Sequence, residues 1–427
     1  MDTKIIYRRP LGNVDRKYRQ DRLIISTFKA HTQNVRLGIE NCKKMNFNLL
    51  EFGWTNPEDS LKCMTACEEV GIDGIFQDWT VFGGFQAKKA IKEIKGQRLD
   101  VYLEHTKKYR HVAGYYVWDE PFSWENIELA AEHLKIMEDA APDKLPYVVA
   151  LPSYNGKWSW ENGQYLEHLH KYVDVIKPPV LSIDYYPFDR KEPHRPNQLD
   201  DSELFLDMAA VRKLALQNEI PFWFYFQTQG DPAYFKYKAF TCEKMRVQQY
   251  NALLHGAVGL QNYNVVEGAL NEDGTPGPLF EFTKDINERC YQLGKTFMAL
   301  TSVGVYHSNE VLEENKYFEE YREKVSSSEV LLNKELPFRC SVGEFVDNEK
   351  NRYLFIQNRD YEKTRTFKLK LQKKFRVYEV SQKDGMQSIR NHGVEGISLC
   401  LEPGDAKLLR FQDAKEEAFL IDYVLKK

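Results

Sequence analysis

The chain alternates between strand-like and helix-like segments eight times within about its first 300 residues. Each strand-like segment is a short apolar run that is too hydrophobic to be half exposed, which is typical of parallel strands buried on both faces. The runs cover residues 22–28, 48–54, 74–79, 112–118, 146–151, 180–186, 221–227 and 259–264. Eight strand–helix units over roughly 280 residues match a closed (β/α)8 TIM barrel, so we predict an α/β chain with this fold.

The segments between the strands carry helical patterns. Between Trp124 and Ala140, apolar residues recur at helical spacing, and Ser123 is placed to cap the first turn. An open doubly wound sheet is the alternative architecture. It is disfavoured because no glycine-rich phosphate-binding turn follows the first strand, where the sequence reads Ser26-Thr-Phe-Lys-Ala-His31.

The sequence changes character from about residue 305. Stretches of alternating apolar and polar residues at 353–357, 366–371 and 375–380 are separated by turn-forming residues, which indicates antiparallel strands. Residues 309–330 are highly charged and read as a connector, and residues 413–427 read as a short helix. We therefore predict a barrel in 1–304, a connector in 305–330, and a small β-sandwich-like domain with a short terminal helix in 331–427.

Composition limits the classes of partner. A formal net charge of −4 over 427 residues gives no electrostatic reason to expect nucleic acid. No run approaches the ~20 apolar residues that a membrane-spanning helix needs. The first ten residues lack the apolar core of a signal peptide, which indicates a cytoplasmic protein, or a periplasmic or secreted one if a leader has been removed.

The seven cysteines are scattered through predicted helices and strands, as expected of free thiols rather than of a disulfide framework. Cys63 and Cys67 are the nearest pair, but no second Cys or His pair accompanies them, so we expect no metal site there. No phosphate-binding glycine loop and no local Ser-His-Asp arrangement is present in the sequence. We therefore expect no cofactor.

Several carboxylates lie at or just past the ends of predicted strands, and in a β/α barrel these ends meet at the rim that holds the active site. Like charges placed together raise the pKa of some members, so that one carboxyl can act as an acid while another acts as a base or nucleophile. Glycoside cleavage requires this division of labour. For any one of these acids, helix capping or ion pairing is the alternative interpretation. The acids are Glu51, Asp78, Asp119, Glu120, Asp184 and Glu267.

Glu120 is the best placed of these acids because Pro121 ends the fourth strand immediately after it. Under strict alternation along this strand, Glu120 and Trp118 share one face, and Asp119 lies on the other. Only one of the two acids is then able to point into the barrel. We predict that Glu120 does so as the general acid/base, and that Asp119 fixes the loop or binds a substrate hydroxyl.

Aromatic residues close several of the same strands, namely Trp54, Trp79, Trp118, Tyr185 and Tyr186. Flat apolar rings beside carboxylates and amides suit the C–H faces and hydroxyls of a pyranose, so these rings, with Glu51 and Asp78, are predicted to bind a carbohydrate. The alternative is that the rings plug the top of the barrel.

The motif Trp118-Asp-Glu-Pro121 resembles the acid/base motif of the clan A glycoside hydrolases, which carry Asn-Glu at the end of strand four, often followed by proline. Residues 183–188 and 255–263 are similar to segments of the barrel glycosidases related to the β-galactosidase group. The resemblance covers about residues 20–300. It implies hydrolysis of an oligo- or polysaccharide with Glu120 as general acid/base, and with Gln227 and Asn262 among the side chains that bind the sugar.

The sequence departs from that family at strand seven, where the nucleophilic glutamate is replaced by Gln227. An amide cannot form a glycosyl ester, so the second carboxylate is expected to be Asp184 or Glu267. Asp184, two strands from Glu120, favours a gap that holds a water molecule, and hence inversion. A non-catalytic carbohydrate-binding barrel remains an alternative, as does a divalent-metal enzyme that uses Glu51, Asp78 and Asp184 as ligands.

Overall fold

The fold is taken from a computed structural model of the chain. It describes residues 18–28, 32–53, 55–77, 97–153, 160, 164–188, 202–228, 241–266, 268–312, 321 and 323–414.

Eight parallel strands form a closed barrel in sequence order, with β8 hydrogen bonded back to β1. The barrel predicted from the eight apolar runs is confirmed, and each run overlaps one strand. The strands are β1 (Ile24–Phe28), β2 (Leu49–Phe52), β3 (Asp73–Phe76), β4 (Val112–Asp119), β5 (Leu145–Ala150), β6 (Leu181–Tyr185), β7 (Phe222–Gln227) and β8 (Gly259–Tyr263).

Helices alternate with these strands. The Ser123 cap predicted for the fourth described helix is present, since its Oγ accepts a hydrogen bond from the Asn126 backbone N–H at 3.1 Å. The described helices of the barrel are α1 (Val35–Lys44), α2 (Pro57–Val70), α3 (Gln97–Thr106), α4 (Trp124–Ala140), α5 (Tyr165–Lys171), α6 (Ser202–Gln217), α7 (Cys242–Leu254) and α8 (Phe280–Phe297), and a further short helix spans Asn309–Leu312. The last turn before β6 continues α5 as a π-helix, Tyr172–Ile176.

A six-stranded antiparallel sheet follows the barrel, which confirms the predicted C-terminal β domain. Its strands are β9 (Thr301–His307), β10 (Cys340–Val346), β11 (Arg352–Asn358), β12 (Arg365–Val380), β13 (Gln387–Leu401) and β14 (Ala406–Asp413). Their spatial order is β13-β12-β14-β11-β10-β9. The first strand of this sheet therefore follows directly after α8. The terminal helix proposed for 413–427 falls almost wholly outside the described residues.

The sheet packs against the barrel helices. The Phe297 ring of α8 meets the rings of Phe345 and Phe355 edge-on, with centroids 5.3 and 5.1 Å away. Gln357 donates a hydrogen bond to the Val247 carbonyl on α7. Apolar side chains of β10, β11 and β14 thus complete the core that surrounds the barrel, while a second core fills the other side of the sheet.

The seven cysteines are free, and five of them are buried. Within the part of the chain that the structure describes, no helix combines the length and the apolarity needed to cross a lipid bilayer.

Candidate active site

A β-bulge in β4 changes the face of the strand on which its final residues lie. Tyr116 pairs with Tyr147 of β5, whereas Trp118 pairs with the next residue, Val148, so Val117 is one residue too many for the ladder. The bulge breaks the alternation expected from the sequence. Asp119 therefore lies on the Tyr116 side, where the Tyr116 hydroxyl donates a hydrogen bond to its Oδ1 at 2.9 Å.

Glu120, the next residue, also reaches the barrel interior. Its backbone has a φ of 43°, in the left-handed region that residues other than glycine seldom adopt. This backbone turn brings the Glu120 carboxyl into a hydrogen bond with Asp184 of β6. The sequence suggested that one acid of the pair points inward, but the bulge and the left-handed residue together allow both to do so.

Asp184 is almost completely buried, with 6% of its surface exposed. Its carboxyl makes hydrogen bonds with Glu120 and Tyr186, while its Oδ1 has no hydrogen-bond partner. Burial raises the pKa of Asp184 well above its usual range, and the charge of Asp119 raises it further. Because two carboxylates have no hydrogen to place between them, the bond between Glu120 and Asp184 requires the pair to share at least one proton.

A third acid, Glu51 of β2, lies beside Asp119 and is fully buried. Its Oε1 accepts hydrogen bonds from the Ser26 hydroxyl at 2.5 Å and the Gln261 amide at 2.8 Å, while its Oε2 has no partner. Burial raises the pKa of Glu51 to about 7, and Asp119 contributes to this increase. A neutral, protonated carboxyl fits this arrangement because an ionised oxygen that is buried without a donor is far more costly than a neutral one.

The polar layer around Glu51 is closed. The Gln261 amide also donates to the Tyr147 hydroxyl at 2.6 Å and accepts from the Ser182 hydroxyl at 2.7 Å. Tyr147 and Ser182 are hydrogen bonded to each other as well, at 2.8 Å. Since these groups satisfy one another below the acid pair, this layer forms the floor of the site. Glu51 was expected to bind substrate, but its complete burial leaves it no surface for direct contact.

Phenylalanine and tyrosine rings line the interior next to the acids. Phe28 of β1 stacks on Tyr263 of β8 at 5.8 Å and meets Tyr225 of β7 edge-on at 6.3 Å. Tyr186 stacks on Tyr263 at 4.7 Å. Tyr186 was named with Tyr185 at the end of the sixth strand, whereas Phe28, Tyr225 and Tyr263 were missed. Each of these three lies two residues beyond an inward-facing residue of its own strand, and this spacing is the signal that identifies them.

Three residues that the sequence placed in the site have side chains that face away from the barrel interior. The Trp118 ring packs against His133 of α4, with centroids 5.4 Å apart, so it faces the helix layer. Tyr185 is fully buried on the face of β6 opposite to Asp184. Asn262 is likewise on the opposite face of β8 from Gln261. A shift of one position along a strand exchanges the inward and outward faces. This is why these three side chains face away from the site while residues next to them in sequence face into it.

Gln227 ends β7, where the resemblance placed a nucleophile, and its side chain is committed to the backbone. Its Nε2 donates to the Phe188 carbonyl and its Oε1 accepts from the Phe188 N–H, both at 2.9 Å. The amide thus braces the segment that follows β6. Its surface is fully buried, so the side chain offers no free group to a sugar.

Trp54, Asp78, Trp79 and Glu267 lie outside the described residues. Among the residues that are described, no three His, Cys, Asp or Glu side chains are grouped so as to hold a metal ion.

No family model matches the sequence, and no curated protein matches it. The fold has counterparts among solved structures. A GH27 β-L-arabinopyranosidase from Geobacillus stearothermophilus is 10% identical with a TM-score of 0.52, over 92% of this chain and 97% of that one. A protein from Bacteroides fragilis described as an alpha-galactosidase/melibiase is 10% identical with a TM-score of 0.50, over 92% and 79%.

The beta-galactosidase of the psychrophilic Marinomonas ef1 is also 10% identical, with a TM-score of 0.48. The match covers 66% of this chain and 62% of that enzyme, so the chain spans less than two thirds of its length. At 10% identity, the likeness to the first two of these structures shows a shared fold and no more.

Proposed function

We propose that the chain is a glycoside hydrolase that cleaves O-glycosidic bonds of an oligo- or polysaccharide. The observation that carries this proposal is the hydrogen bond between the Glu120 and Asp184 carboxyls at the carboxyl ends of the barrel strands. Two carboxyls that share a proton supply both the acid and the carboxylate that glycoside cleavage requires.

Glu120 is the general acid in this proposal because it follows the end of β4 and is less deeply buried than Asp184. It gives its proton to the glycosidic oxygen as the C–O bond breaks. The Asp184 carboxylate attacks the anomeric carbon and forms a glycosyl ester. Glu120, now ionised, then takes a proton from a water molecule that hydrolyses the ester, and both acids return to their starting state.

The contact between the two carboxyls favours retention of configuration. Inverting enzymes need a gap of roughly 6.5 to 9.5 Å between the carboxyls for a water molecule, whereas retaining enzymes keep them about 5 to 5.5 Å apart. The separation between two hydrogen-bonded carboxyls is shorter than the gap that an inverting enzyme needs. We therefore propose retention in place of the inversion expected from the sequence; the bulge in β4 and the left-handed backbone of Glu120 support a carboxyl that reaches toward β6.

Neighbouring side chains have supporting roles. Asp119 holds a negative charge that stabilises an oxocarbenium-like transition state while it raises the pKa of Asp184. Tyr186 hydrogen bonds to Asp184 and orients it. The stacked Tyr186 and Tyr263 rings offer the apolar surface against which a pyranose packs. Two proteins that share the fold are an arabinopyranosidase and one described as a galactosidase, which agrees with sugar chemistry at this rim.

The test is a screen of aryl glycosides and oligosaccharides against the wild type, Glu120→Gln, Asp184→Asn and the control Glu281→Gln, an exposed acid in the first turn of α8. We expect activity in the wild type and the control and a loss in both site variants. Binding of sugars without turnover would replace the proposal with the carbohydrate-binding barrel. Activity that a chelator abolishes would replace it with the metal enzyme.

A further inference from the structure

The connection between β4 and α4 is only four residues long, from Glu120 to the cap residue Ser123. Its third residue, Phe122, has 51% of its surface exposed. Because consecutive Cα atoms are 3.8 Å apart, the Cα of Phe122 lies within about 7 Å of that of Glu120. An exposed phenyl ring is therefore tethered beside the proposed general acid.

Phe122 is distinguished by its position. The other exposed large apolar side chains of the described residues lie on α3, on the π-helix before β6, on α8 or in the β domain. These are Val101, Val175, Tyr291, Val303, Leu332, Phe338, Met386 and Ile389. Among the described residues of this kind, Phe122 alone lies at the carboxyl ends of the barrel strands, where β/α barrels bind their substrates.

The loop that carries Phe122 is fixed on both sides. The buried His168 of α5 contacts the Pro121 carbonyl through Nε2 at 2.9 Å, and its ring stacks on Trp124. On the other side, the Ser123 hydroxyl caps α4. Since the backbone before and after Phe122 is held in this way, the phenyl group is presented from a defined position, which lowers the entropic cost of binding against it.

We propose that Phe122 forms the subsite for the leaving group and selects leaving groups that contain a ring. This inference depends on the proposed function, since the general acid identifies the leaving side. Glu120 must contact the glycosidic oxygen, so the group attached to that oxygen begins next to Phe122. The face of a pyranose and an aromatic aglycone share the flat apolar surface that packs on a phenyl ring.

The experiment uses three substrates that share one glycosyl group, chosen from the sugars the wild type hydrolyses. They are a glycosyl fluoride, whose leaving group has no ring, a nitrophenyl glycoside and a disaccharide. Wild type is compared with Phe122→Ala, with Phe122→Trp, which restores a flat ring, and with Phe338→Ala. Phe338 is a suitable control because 53% of its surface is exposed and it lies in the β domain.

For Phe122→Ala we expect kcat/KM to fall about tenfold for the disaccharide and the nitrophenyl glycoside and to change less than about twofold for the fluoride. Phe122→Trp should restore most of the loss, and Phe338→Ala should resemble wild type. A loss for the nitrophenyl glycoside alone would mean that the ring serves an aryl aglycone rather than a sugar. Equal losses on all three substrates, or none, would overturn the inference while leaving the proposed function intact. A wild type without activity on any glycoside would refute both.

Discussion

The carboxyl of Glu120 hydrogen bonds to that of Asp184, although Glu120 follows β4 and Asp184 belongs to β6, and these strands are not neighbours in the barrel. β5, between them, contributes Tyr147 to the floor of the site. The acid pair therefore lies across one side of the barrel mouth, with Asp119 as a further negative charge beside it.

We expect the first product of hydrolysis to keep the anomeric configuration of the substrate, because the two carboxyls lie too close together to hold a water molecule between them. Proton NMR of the reaction during the first minutes distinguishes the two anomers. Appearance of the inverted anomer would assign Asp184 the role of base instead of nucleophile.

Glu120→Gln should lower kcat on substrates with poor leaving groups by a factor of about 100 to 10,000, since no proton is then delivered to the glycosidic oxygen. Glycosyl fluorides depend less on that proton and should lose much less activity. Steady-state kinetics on both substrate types checks this, and circular dichroism verifies the fold. A loss that is the same for all leaving groups would contradict the role of general acid.

Asp119→Asn should lower the pKa of Asp184, because the charge of Asp119 disfavours ionisation of its neighbour. The acidic limb of the pH–rate profile, which follows ionisation of the Asp184 nucleophile, should therefore move toward lower pH. Tyr116→Phe is the matched control, since it removes the hydroxyl that donates to Asp119 and leaves the charge in place. An unchanged profile in Asp119→Asn would show that the charge of Asp119 does not influence the titration of Glu120 and Asp184.

Glu51→Gln should change how stability depends on pH. The folded state raises the pKa of Glu51 to about 7, so its favourable contribution is complete below about pH 4.5 and is lost as the pH rises through 7. The variant keeps an oxygen for Ser26 and Gln261 and cannot ionise. Relative to wild type, it should gain up to about 3 kcal/mol between pH 4.5 and pH 8, measured by urea unfolding. Parallel stability curves for the two proteins would show that folding does not raise the pKa of Glu51.

Trp118→Ala and Tyr263→Ala should have opposite effects. Trp118 is buried against His133, so its loss should cost about 3 to 5 kcal/mol of unfolding free energy and leave sugar affinity nearly unchanged in the folded fraction. Tyr263 is partly exposed and stacks on Tyr186, so its loss should weaken sugar binding about tenfold. Thermal unfolding and calorimetric titration separate the two results, and a reversal would place Trp118 in the sugar site.

The barrel was predictable because buried parallel strands have a strong sequence signal, and each of the eight apolar runs overlaps one strand. The inward face of each strand was harder to identify. Along β4 the alternation rule is correct up to Tyr116 and fails beyond it, because a bulge depends on register with β5 rather than on local sequence.

The acid pair shows the same limit. Glu120 and Asp184 were identified as candidates from their positions at strand ends, but their direct contact depends on a left-handed backbone at Glu120 that no residue type announces. Tyr185 and Tyr186 were both named from the sequence, and Tyr186 is the one that hydrogen bonds to Asp184. In that case the rule was sufficient, since Tyr186 is two residues beyond Asp184 and thus on its side of the strand.

The paired hydrogen bonds between Gln227 and the Phe188 backbone have an evolutionary consequence. A glutamate at this position can accept from the Phe188 N–H, but when ionised it has no donor for the Phe188 carbonyl and would place two oxygens against each other. Gln227→Glu would therefore disturb the segment after β6 before it supplied a nucleophile. If an ancestor carried glutamate here, its replacement by Gln227 is difficult to reverse. A return to glutamate is tolerated only after another side chain has replaced the hydrogen bonds that Gln227 makes to the Phe188 backbone.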